Sequence, residues 1–97
     1  MTDGYKERAE DLRDETRDLH RAIESLKEEL EAVDWYNQRV DVVADAELRA
    51  ILAHNRDEEK EHAAMLLEWI RRRDEGFARE LADYLMRDGD IVHHHGD

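Results

Sequence analysis

The stretch RDEEKEHAAMLLEWI, residues 56–70, decides how this chain is read. Leu66 and Trp69 lie three residues apart. Carried backwards at spacings of three and four, the same line runs through His62, Glu59, Asn55, Leu52 and Leu48, the pattern of one helix face. Glu59 and His62 therefore interrupt a face that is otherwise mostly apolar. A charged Glu is rarely buried unless it is paired or coordinated, because removing it from water costs several kcal/mol.

The helix that carries this line is expected over residues 46–73. Asp45 is its N-cap, Glu47 stands in its first turn, and Arg71, Arg72 and Arg73 stand at the end where cations suit the helix dipole. Upstream, Leu12, Leu19, Leu26, Val33 and Val40 recur every seven residues, with Ala22, Ile23, Leu30 and Tyr36 beside them. This predicts a first helix over about residues 14–43, capped by Asp14 or Thr16. Gly76 is read as the stop after the second helix. Phe77, Leu81, Tyr84 and Leu85 mark a short third helix over about residues 76–86, ended by Gly89.

The chain thus divides into a polar N-terminal segment, 1–13, a helical domain, 14–87, and a disordered tail, 88–97. The N-terminal segment is expected to join the first helix only loosely. Because the link near residues 43–45 is short, the two long helices are antiparallel neighbours.

There is no Pro, and 43% of the 97 residues are charged. That balance fits long solvated helices, so the fold class is all-α. A formal charge of −12 opposes binding to a phosphate backbone and excludes nucleic acid as a natural partner. The stretch MTDGYKERAEDLRDE lacks the apolar core of a signal peptide and no apolar run of about 18 residues is present to span a membrane, so a soluble chain is expected. With no Cys, thiolate metal sites and disulfides are excluded. Two helices and a short third offer too little core for a chain of this size, so self-association is expected, most simply as a dimer forming a four-helix bundle.

On a helix, residues 59 and 62 face the same way, so a carboxylate and an imidazole can reach one metal ion. Glu-x-x-His alone is a weak signal, since a solvated helix face produces it by chance, and Glu58 with His62 is a competing assignment. Glu29 strengthens the case, because it intrudes on the apolar stripe of the first helix between Leu26 and Val33. Di-iron carboxylate bundles take one Glu from each of two helices and Glu-x-x-His from each of two others. One chain supplies half of that set, and a two-fold dimer supplies all of it. A donor set of carboxylate and imidazole suits iron or manganese and admits zinc.

Tyr36, two turns from Glu29, hydrogen-bonds a bridging carboxylate or relays an electron, or else is a core aromatic. Glu28 and Glu31 either draw divalent cations inward or are ordinary surface acids. Trp35 and Trp69 are read as packing residues, His20 and His54 as histidines without a partner at ligand spacing, and His93, His94 and His95 as non-functional. The competing function is an acidic, self-associating helical adaptor without metal chemistry.

Two segments, KEELEAVDWYNQR at 27–39 and AHNRDEEKEHAAMLLEWIRRR at 53–73, closely resemble the encapsulated ferritins, and the likeness extends from about Leu19 to Leu85. The resemblance implies a half-ferritin that assembles as a ring of dimers, commonly a decamer, and oxidises Fe(II) to Fe(III) at a di-iron site across the dimer interface. It puts the iron ligands at Glu29, Glu59 and His62, the acids of a metal entrance that takes calcium or another divalent cation at Glu28 and Glu31, and the aromatics beside the site at Trp35 and Tyr36. It further implies a cytoplasmic protein held as cargo inside an encapsulin shell, which stores the mineral. Cargo members usually carry a shell-docking extension after the third helix, where this chain has HHHGD.

Overall fold

The computed structural model describes residues 4–92. Two long helices, α1 (Asp14–Val42) and α2 (Ala46–Arg73), form an antiparallel hairpin, and a short helix, α3 (Glu75–Tyr84), packs on α2. A 3-10 turn at Ala9–Asp11 precedes them, and no strand occurs among the described residues.

The hairpin register is held at its closed end and midway. Asp45 caps α2 by accepting the amide of Leu48 at 2.7 Å. Arg49 reaches back and donates to the Val43 carbonyl at 3.0 and 2.8 Å, serving one of the carbonyls that α1 leaves unpaired. Further along, Arg56 on α2 donates to Asn37 on α1 at 3.1 Å. Small residues line the contact, since Ala22 and Ala63 are buried and Ile70 is the one large side chain fully enclosed among the described residues. Alanine at a helix contact lets two helices approach toward the short end of the usual spacing, about 8 Å.

Four expectations need correction. Neither Asp14 nor Thr16 caps α1; Arg13 stands at the cap without a side-chain bond, and Asp14 instead pairs with Arg17. Arg17 also donates to the Ala9 carbonyl at 3.0 Å, so one guanidinium ties the N-terminal segment to α1. That segment is consequently more than loosely attached, with the Tyr5 ring tilted against the His20 ring, centroids 4.4 Å apart. Gly76 is not a helix stop, because α2 ends at Arg73 with Asp74 as its cap, and Asp74 also begins α3 by accepting the Phe77 amide at 2.8 Å. Gly76 lies inside the first turn of α3, where a Cβ would come within 3.2 Å of the Asp74 carboxylate. Finally, α3 ends at Tyr84 rather than at Gly89. Met86 turns the chain in the left-handed region at φ 60°, and Arg87 donates to the Ala82 carbonyl.

At the end of α2 the predicted cations are in use. Hydrogen bonds from Arg71 and Arg72 hold the Glu68 carboxyl down at about 2. Its charge is complete above the ordinary carboxylate range and is lost only as pH falls toward that value.

A molecule 49 × 44 × 19 Å is too thin to enclose a core. Leu30, Ile51 and Met65 are each more than half exposed. Replacing Ile70 with Ala is expected to lower stability by about 3 kcal/mol, read from the urea midpoint at fixed protein concentration.

Candidate metal centre

Glu59 and His62 project together from the middle of α2, far from either fraying end. Glu29 meets them from the middle of α1, brought there by the register that Asp45, Arg49 and Arg56 fix. His62 Nδ1 faces both carboxylates, 3.4 Å from Glu59 Oε2 and 3.5 Å from Glu29 Oε2. One donor atom from each of the three side chains falls within 4.8 Å of the others, and this is the one group of three or more such residues among those described.

Exposure separates this cluster from a solvated surface trio. The Glu29 and Glu59 side chains are 25% and 23% exposed, and Glu29 Oε2 is shut from solvent without a hydrogen-bond partner. At 3.5 Å, His62 stands within ion-pair range of that oxygen but supplies no hydrogen bond. An unsatisfied, buried carboxylate oxygen costs about 1–3 kcal/mol or more. A cation offsets this cost, and hard oxygen with one imidazole nitrogen is the donor chemistry of iron, manganese and zinc sites. The residues present therefore fit a metal ion.

The neighbouring alternative is resolved by a residue that the sequence reading left without a partner. His54 Nε2 lies 2.5 Å from Glu58 Oε1, so Glu58 turns toward the preceding helical turn while Glu59 turns to His62. The i to i+4 spacing of His54 and Glu58 was the signal for this pair. His20 likewise has a neighbour, the Tyr5 ring. Glu28 and Glu31 are exposed on α1 and stand outside the triad, and Trp35 is about half exposed. Tyr36 is half-buried, with the Arg39 guanidinium 5.6 Å over its ring. His93, His94 and His95 lie outside the described residues.

With this geometry in view, comparison with known proteins is decisive at the family level. The EncFtn-like family model matches residues 4–88. This chain belongs to the EncFtn-like family. It is 64% identical over 81 residues to the encapsulated ferritin-like protein of Rhodospirillum rubrum, covering 84% of this chain but only 58% of that protein. It is 54% identical over 92 residues to a ferritin-like protein of Thermotoga maritima, covering 95% of this chain and 81% of the relative. A third relative, an encapsulin nanocompartment cargo protein of Myxococcus xanthus, is 40% identical over 58 residues, 59% of this chain and 45% of that protein. The crystal structure of a Nitrosomonas europaea protein superposes with a TM-score of 0.90 at 69% identity, covering 94% of this chain and all of that one. The expected half of a ferritin-like bundle, two long helices and a short one, is the observed fold of this EncFtn-like chain.

Manganese at about a hundredfold excess over its Kd is expected to stabilise the protein by about 2.7 kcal/mol. Glu29→Gln removes the charge that disfavours burial. Its metal-free melting temperature should equal or exceed that of the unsubstituted protein, while its gain on adding manganese falls away.

Proposed function

We propose that this EncFtn-like protein is a ferroxidase that oxidises Fe(II) to Fe(III) at a di-iron site formed across a homodimer interface. The observation that carries the reading is the convergence of Glu29, Glu59 and His62 around a carboxylate oxygen that neither water nor a hydrogen-bond donor reaches. Both long helices also leave apolar side chains unburied, with Leu30 on α1 55% and Leu48 on the same line of α2 45% exposed. A second copy covers such a face and doubles the donors to four carboxylates and two imidazoles, enough for two irons.

In this reading Glu29 bridges the two substrate irons, and Glu59 and His62 Nδ1 complete the protein ligands of each. The protein's contribution is position, holding two metals close together with open places for oxygen or peroxide, which takes the electrons. Tyr36, its ring held by Arg39, hydrogen-bonds a bridging carboxylate or relays an electron, and Trp35 packs beside it. Glu28 and Glu31 form the metal entrance, drawing Fe(II), calcium or another divalent cation across the acidic surface. The names of the Rhodospirillum and Myxococcus relatives support a further step, that this chain too is encapsulin cargo in the cytoplasm, in a ring of dimers such as a decamer, and supplies iron for mineral storage.

The test is stopped-flow Fe(II) oxidation with Glu29→Ala, Glu59→Ala and His62→Ala, each expected to lose the fast phase. Unchanged rates in all three would sink the assignment. Native mass spectrometry should show a dimer carrying two irons, and dilution into the monomer range should lower the rate per chain. Substituting Glu28 and Glu31 together with Gln should slow oxidation at low iron and weaken its dependence on salt, leaving the rate at saturating iron near the unsubstituted value.

A further inference from the structure

Met65 follows His62 by three residues on α2, so its Cβ stands about 5–6 Å from that of the imidazole. Its side chain is 58% exposed, unusual for a methionine in the middle of a helix whose neighbours Ala63 and Ile70 are buried. Met65 lines a groove of about 460 Å³ with Glu61, Ala64, Glu68, Trp69 and Arg72. Glu68, already bound to Arg71 and Arg72, and exposed Glu61 give this flank of α2 a charged border that favours solvent over an apolar interface. One turn further on, Trp69 has the Arg73 guanidinium 5.0 Å over its ring. A cation there makes the indole a poorer electron donor, which favours the neighbouring thioether as the reductant on this flank of α2.

We propose that Met65 is an oxidation site that intercepts hydrogen peroxide released at the Glu29, Glu59 and His62 centre. The inference rests on the ferroxidase reading. Two Fe(II) give one electron each to O2, which takes up two protons and leaves as hydrogen peroxide. The sulfur lone pair of Met65 then attacks one peroxide oxygen, the O–O bond breaks, and the second oxygen departs as water. The thioether becomes a sulfoxide, a change that methionine sulfoxide reductases reverse. The site thus consumes a by-product beside its source, before iron and peroxide meet in solution.

Met86 provides an internal comparison. It is 102% exposed, with nothing covering it, and it lies beyond α3. Susceptibility to free peroxide follows exposure, so peroxide added to iron-free protein should oxidise Met86 ahead of Met65. During Fe(II) and O2 turnover with catalase present to destroy escaped peroxide, the order should reverse, with Met65 gaining one oxygen and Met86 remaining a thioether. Peptide mass spectrometry reads both residues, and the absorbance of Fe(III) is recorded in the same reaction. Fast Fe(III) formation with Met65 unoxidised, or with the two methionines oxidised alike, overturns this inference and leaves the ferroxidase reading standing. If Fe(III) does not form above the rate of free iron, the ferroxidase reading falls and the inference with it. A Met65→Leu chain should keep the initial rate yet lose activity over fewer turnovers; equal endurance would count against a protective role.

Discussion

Half-burying two carboxylates beside an imidazole is the constraint on which the rest of this structure depends. Glu29 and Glu59 stand on helix faces that are otherwise apolar, and His62 Nδ1 faces both carboxylates at 3.5 and 3.4 Å. Among the described residues, the ion-pair contact of each is with His62. A fold of this size that needed only stability would have leucine at both positions, since apolar residues of similar volume commonly match or exceed a buried polar cluster in stability. The arrangement costs stability, and its donor set fits a metal ion better than it fits a core.

Everything around the triad serves to hold it still. Both helices run well past it, so the donors come from the most rigid part of each. The short connection leaves little freedom at the closed end, and the arginine contacts from Arg49 and Arg56 fix which turn of α1 faces which turn of α2. Small side chains at Ala22 and Ala63 bring the backbones near enough for a carboxylate from one helix to meet an imidazole from the other. Stability within one chain is sacrificed to this thinness, and the exposed leucines and isoleucines are its visible consequence.

The helices and the triad were legible in the sequence because both depend on spacing. A seven-residue recurrence sets a helix face, and Glu29, Glu59 and His62 stand out as polar residues on such faces. Asp45 was legible as a cap for the same local reason. What periodicity could not give was competition between partners for one side chain. Asp14 has cap chemistry but is taken by Arg17, and Glu58 was separable from Glu59 only once His54 was seen to hold it. The attachment of the N-terminal segment was hidden because Tyr5 and His20 are fifteen residues apart, with no pattern linking them. Gly76 misled because glycine after a helix commonly marks its end, whereas here it leaves room for the Asp74 carboxylate that opens the next helix.

Asp74 closes α2 with its backbone amide and opens α3 with its side chain, so a single residue is the whole connection between the two helices. Such an elbow has no slack. Lengthening it by one residue would rotate every downstream position of α3 by about 100° around its axis, turning Phe77 and Leu81 away from their present face. Across descendants of this sequence, the joint at Asp74 admits substitution only by residues that reproduce its carboxylate or a similar short acceptor. The position therefore behaves as a fixed point for sequence drift, set by geometry rather than by any part it takes in chemistry.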